Sequence, residues 1–223
     1  MPSHRVNESN VTLELFDVLG EDGEFGFIGH TGLAAKEGRQ LSDAVEVFHM
    51  GPPLETDGVM KVDARGTAKL NDDERHKIED FRDRHAGEHA ATRRLPLTTR
   101  LRHVPAIYCI HPHATPHREE DRRYVRTRFS CAGFVFEAYK AARISLLDEL
   151  AIPRVGLAEL KLSYPRFAQM LEDLTFRESM GLGGGTGEWP VMLCGYLLHA
   201  LSREAAEIRS TPYVPRGTDA YFT

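Results

Sequence analysis

One cysteine, one histidine and a third polar group in this chain could together carry out nucleophilic chemistry. Cys131 sits in Arg128-Phe129-Ser130-Cys131-Ala132-Gly133-Phe134-Val135. Ser130 suits a helix N-cap, because its hydroxyl can accept a backbone N–H that the first turn leaves unpaired. Phe134, Val135, Ala138, Tyr139 and Ala142 then form one apolar stripe at helical period, while Glu137, Lys140 and Arg143 take the other face. This places Cys131 at the positive end of a helix dipole, among free N–H groups. Both favour a thiolate, and the same N–H groups suit a developing oxyanion. A thiolate hydrolase also needs a base, and a group that orients the base. The candidate base is His30, in Phe27-Ile28-Gly29-His30-Thr31-Gly32. The third group comes from the run at 44–50, where Glu46 and His49 compete. A hairpin folded about Gly38 puts Glu46 opposite His30, and a wider loop puts His49 there. Strand side chains alternate, so only one of the two can serve unless a bulge intervenes.

Cys131-Ala132-Gly133-Phe134-Val135, with Tyr139 eight residues after the cysteine, resembles the nucleophile motif of the NlpC family of papain-like cysteine peptidases. Ala132 stands where that family usually has serine. Gly29-His30-Thr31-Gly32-Leu33 resembles the strand that carries the family's histidine. His30 precedes Cys131 by about a hundred residues, the reverse of the usual order. That order resembles the circularly permuted branch, which includes lipoprotein-like bacterial hydrolases and the lecithin:retinol acyltransferase group. The resemblance covers residues from about 12 to 145. It implies a papain-like α+β fold, with the cysteine helix packed on a small antiparallel sheet. It implies a Cys131–His30 hydrolase acting on an amide, peptide or related acyl bond. An acyltransferase or lipid-directed thiolesterase on the same scaffold is the alternative, as is a binding module without activity. Permuted relatives often carry a glutamate at the third position, which favours Glu46 over His49.

The elements that must position these residues are legible in outline. Strands are expected at 11–18, 25–35 and 44–50, with turns at 20–23 and 36–39. The predicted sheet is antiparallel, with four to six strands. Residues 61–100 read as a charged insertion containing a solvated helix that starts near Asn71. His111, His113 and His117 invite a metal reading, but no familiar spacing completes a site, so a polar loop is expected and no cofactor. The cysteine helix and its continuation are expected to end near Ala151-Ile152-Pro153. Residues 157–174 read as helix broken at Pro165, 181–187 as a glycine-rich linker, and 189–208 as one buried helix. The domain reading is a catalytic core over 1–150 and a helical extension over 151–223, packed together.

Composition excludes several classes. The formal net charge of −5 gives no basic footprint for nucleic acid. Three cysteines do not suggest a disulfide framework, and Cys109 and Cys194 lie in apolar runs as expected for inert buried thiols. No run has the length of a membrane span, and the N-terminal residues show no apolar signal segment. The expectation is a soluble, cytoplasmic protein whose partner is a peptide, amide or acyl-bearing substrate.

Overall fold

The computed structural model describes residues 12–22, 27–38, 44–50, 54–85, 106–118, 125–183 and 187–221. Two of the expected strands form close to their predicted bounds, β2 (Ile28–Ala34) and β3 (Val45–Met50). The first strand does not. β1 spans Val18–Asp22, so the stretch read as a turn, Gly20-Glu21-Asp22, is largely strand. The chain before it turns through Phe16, whose φ is 66°, and buries Leu13 and Phe16 from irregular backbone. Gly20 serves the strand by its missing side chain. A Cβ there would fall 2.8 Å from Leu198 Cδ1. With β4 (Leu54–Met60) and β5 (Ala64–Gly66) these strands form a five-stranded antiparallel sheet, ordered β4-β3-β2-β1-β5. The structure is therefore mixed α+β, with an antiparallel sheet as its main layer.

Helix α1 (Asp72–His85) begins where the acidic run indicated. Asn71 Oδ1 accepts the Glu74 N–H, and Glu74 Oε2 accepts the Asn71 N–H, a reciprocal cap. Arg209 binds the same Glu74 carboxylate and the carbonyls of Ala68 and Lys69, tying the C-terminal part to this helix start. α1 is not a purely solvated helix. Ile78 and Phe81 are buried, and the Phe81 ring lies 5.6 Å from Phe134 and 5.9 Å from Phe129. The remainder of the expected charged insertion, residues 86–100, lies outside the described residues.

A second sheet of three short strands, β6 (Ile107–Tyr108), β7 (Ala114–Arg118) and β8 (Val125–Phe129), has the order β6-β8-β7. β8 runs directly into Ser130 and helix α2 (Cys131–Ala141). α2 stops ten residues earlier than its sequence suggested. Its C-cap is Ala142, and Arg143 takes φ 65°, which no continuing helix allows.

Beyond α2 come β9 (Arg154–Val155), α3 (Leu157–Ser163), two single 3₁₀ turns at Pro165–Phe167 and Met170–Glu172, and α4 (Leu174–Ser179). The break expected at Pro165 is present. The single buried helix expected over 189–208 is not. Trp189–Pro190 is a short strand, β10, paired with β9. The helical part divides into α5 (Cys194–Leu201) and α6 (Ala205–Ser210). The glycine-rich stretch is fixed at its start. Gly181 has φ 80°, and a Cβ on it would collide with the His111 carbonyl oxygen.

The main core packs the sheet, α1, α2 and α5 together. It runs from Phe16 to Ala220 and includes Leu160, Leu171 and Leu197, so no core boundary falls at residue 150. Leu13, Leu19, Ala34, Val45, Val47, Met60 and Val62 form a second, smaller cluster. Among the described residues no helix is long and apolar enough to cross a membrane. Tyr139, fully buried in α2, donates its hydroxyl to the Phe16 carbonyl at 3.0 Å and so locks the irregular segment before β1. Tyr139→Phe would strand that carbonyl. We expect a loss of about 1–2 kcal/mol in urea unfolding, with the unfolding cooperativity retained.

Candidate active site

The cysteine is placed by the cap that its sequence foretold. Ser130 is extended at φ −79° and ψ 166°, and its hydroxyl accepts the Gly133 N–H at 2.9 Å. Gly133 is required for a different reason. A Cβ at that position would stand 2.0 Å from the His113 carbonyl oxygen, so β7 can approach the helix start only because the side chain is absent. The cap also leaves the N–H groups of Cys131 and Ala132 without intrahelical acceptors.

β2 brings His30 beside the Cys131 thiol, near enough for each to shift the other's pKa. His30 lies directly opposite Glu21 on β1, and the pairing shifts register immediately beyond this point. A bulge bends the strand and re-aims its side chains. Here it stands at the histidine. A second shift, between Val47 and His49, marks the pairing of β3 with β4.

The third position goes to His49. Its Nδ1 lies 2.7 Å from His30 Nε2, with the rings edge to face. The hairpin is wider than a fold about Gly38 would make it, with His49 opposite Gly32 and Val47 opposite Ala34. Glu46 is opposite Val59 on β4 and forms a half-exposed ion pair with Lys36 at 2.6 Å. The register that favoured Glu46 is thus shifted by five residues, since these pairs would set position 51, and neither Glu46 nor His49, opposite His30. Because His49 occupies Nε2 of His30, Nδ1 is the ring nitrogen left for the thiol.

Electrostatics follow from these contacts. Cys131 is 1% exposed. Its pKa nevertheless lies well below the usual thiol range. The largest cause is a hydrogen bond from Cys194, followed, against the opposing effect of burial, by the hydrogen bond and charge of His30 and the Thr31 N–H. For His30, burial disfavours the cation, but the Cys131 hydrogen bond and charge, together with Glu21, outweigh it and raise its pKa. The pair therefore favours thiolate and imidazolium.

Two residues at this site have no sequence signal. Cys194, at the start of α5, places its sulfur 3.4 Å from Cys131 Sγ. It is no bystander, although nothing in its apolar run sets it apart from Cys109. Thr31 donates its hydroxyl to Cys194 Sγ at 3.7 Å. Cys109 fits the inert reading. Its thiol donates to the Pro112 carbonyl, and burial pushes its pKa up to about 12.

A cavity of about 350 Å³ opens beside the two histidines. Glu21, Met50, Val59, Met60, Tyr108 and the turn Tyr164-Pro165-Arg166-Phe167 help to line it. The Tyr164 hydroxyl is buried there without a hydrogen-bond partner among the described residues. Burial raises the phenol pKa values of Tyr108 and Tyr164, and the nearby charge of Cys131 adds to both.

The three-histidine stretch does not join this site. His113 is 3.5 Å from Glu149, and with Glu137 the three could offer donor atoms within 4.8 Å of one another. Lys140 already holds Glu149 at 2.5 Å and Glu137 at 3.4 Å, so a cation occupies that charge. The His117 side chain lies outside the described residues.

Comparison with protein-family models, with curated proteins and with solved structures gave no significant match to this chain.

The contrast between the thiols is open to direct measurement. Brief iodoacetamide treatment near neutral pH, read by mass spectrometry, should label Cys131 and leave Cys109 unmodified. His30→Ala should slow Cys131 labelling at pH 6 by about tenfold or more, because it removes the imidazolium that holds the thiolate.

Proposed function

We propose that the protein is a cysteine hydrolase in which Cys131 attacks a substrate carbonyl, His30 moves the proton and His49 orients His30. The observation that carries this reading is the 2.7 Å contact between the His30 and His49 rings, beside a cavity and next to a Cys131 whose pKa His30 lowers. The resemblance of the Cys131 and His30 motifs to the permuted NlpC branch of papain-like enzymes supports the same roles. On that reading the sheet and α2 form a papain-like core.

The steps are those of acyl transfer. The thiolate adds to the carbonyl carbon, and charge develops on the carbonyl oxygen near the N–H groups of Cys131 and Ala132. His30 gives its proton to the leaving group, and the carbon–heteroatom bond breaks to leave a thioester. Water then attacks that thioester, with His30 as base, and the thiolate is restored. His49 keeps Nδ1 of His30 aimed at the sulfur, as a third member does in any such triad. The buried Tyr164 hydroxyl, which lacks a partner among the described residues, is suited to a substrate oxygen. Cys131 is almost fully covered, so the residues over it have to move for a substrate to reach it.

An amide, peptide or related acyl bond is the substrate class. Met50, Val59, Met60 and Phe167 on the cavity wall also favour a second reading, an acyltransferase or thiolesterase that holds an apolar acyl chain. Product analysis separates the two. Release of an amine from amide or peptide substrates supports hydrolysis of amides, and release or transfer of a fatty acyl group supports the second reading.

Cys131→Ala and His30→Ala should each abolish turnover with little loss of stability, and the double variant should be no slower than either. His49→Ala should reduce kcat by about tenfold to a hundredfold, while Glu46→Gln stays within about twofold of the parent. A greater loss with Glu46→Gln would reinstate the narrower hairpin as the functional one. Turnover that survives Cys131→Ala would overturn the reading.

A further inference from the structure

Cys194 has no part in the acyl-transfer steps, yet it stands closer to the proposed nucleophile than ordinary packing requires. The two sulfurs are 3.4 Å apart, and both residues are buried, at 1% and 2% exposure. Each begins a helix, Cys131 in α2 and Cys194 in α5, and both helices belong to the main core. A disulfide needs about 2.05 Å between sulfurs, so side-chain rotation with a shift of about 1.4 Å closes the bond. Thr31, the residue after His30, donates its hydroxyl to Cys194 Sγ, but the contact with Cys131 and burial push the Cys194 pKa well above the ordinary thiol value, so Cys194 is the neutral, proton-bearing thiol of the pair.

We infer that Cys131 and Cys194 form a peroxide-driven, thiol-reversible disulfide that switches the site off. The inference rests on the reading of Cys131 as a nucleophilic thiolate, but its readout needs no substrate.

The oxidant is a hydroperoxide. The Cys131 thiolate attacks one peroxide oxygen and the O–O bond breaks. Sulfur is oxidised to the sulfenic acid, and the leaving hydroxide takes the His30 proton to become water. Cys194 then gives up its proton to His30 and attacks the Cys131 sulfur. The S–O bond breaks, hydroxide leaves, and it recovers that proton as a second water. In balance, two thiols and one hydrogen peroxide give one disulfide and two waters. An external dithiol reverses the step by exchange. Buried beside the first sulfur, Cys194 traps the sulfenic acid before more peroxide can drive it to the irreversible sulfinic state. In the disulfide Cys131 is no longer a thiolate and cannot add to a carbonyl, so hydrolysis stops. Cys109 is the internal control, since its thiol is held by Pro112 and faces neither partner.

The test uses the full chain, reduced and then exposed to hydrogen peroxide, with remaining thiols blocked by iodoacetamide before non-reducing digestion. A linked peptide holding Cys131 and Cys194 is expected, together with loss of labelling at Cys131, unchanged Cys109, and recovery of Cys131 labelling after dithiothreitol. Cys194→Ser should yield no linked peptide, and its Cys131 should pass to the sulfinic acid that dithiothreitol does not restore. Since wild-type protein alone gives the first result, poor folding of that variant does not remove the test. Over-oxidation of wild-type Cys131 beside a free Cys194, or a link to Cys109, overturns the switch. If Cys131 labels in the reduced protein and no link follows, the switch alone fails. If Cys131 never labels, the nucleophile reading fails with it.

Discussion

A sulfur sealed from solvent carries negative charge only where donors surround it, and the region around Cys131 is built to that condition. The chain contains its own comparison. Cys109 and Cys131 are both buried, yet burial pushes Cys109 up to about 12, while Cys131 is held well below the ordinary thiol range. The difference lies in neighbours. Cys131 receives the Cys194 thiol, the His30 ring and the Thr31 N–H, whereas Cys109 has only a carbonyl to donate to. These donors come from two distant parts of the chain, β2 and the start of α5, so the site exists only in the assembled fold.

The scaffold can be understood as the means of that assembly. Ser130 sets where α2 starts, and Gly133 lets β7 lie against that start. Register shifts in the β1–β2 and β3–β4 pairings stand at His30 and next to His49. α5 delivers Cys194 from the C-terminal third, which packs into the same core as the sheet. Loss of any one of these would move a donor by an ångström or more. A partly paired thiolate in an apolar interior is costly, and the group would revert to a neutral thiol.

Much of this was legible where local chemistry decides the structure. The Ser130 cap, the apolar stripe after Cys131 and the acidic start of α1 are short-range patterns, and each formed as read. Two strands, at Ile28–Ala34 and Val45–Met50, followed from their alternation. What failed depended on distant partners. Gly20-Glu21-Asp22 reads as a turn by composition, but pairing with β2 and β5 makes it strand. The choice between Glu46 and His49 turned on loop width, which alternation does not encode; the wider hairpin sets His49 against His30 and leaves Glu46 paired with Lys36. Cys194 carries no local mark at all. Its neighbour Cys131 is sixty-three residues away, and only the docking of α5 joins them.

Everything at this site depends on a buried thiolate at Cys131, held by Cys194 and by His30. Its most direct measurement is the pH titration of thiolate ultraviolet absorbance, taken as the difference between the parent chain and Cys131→Ala. A step that is complete well below the ordinary thiol value of about 8.5, and that moves up in His30→Ala, is the expected result. A step at or above that value, unchanged by His30→Ala, would contradict it.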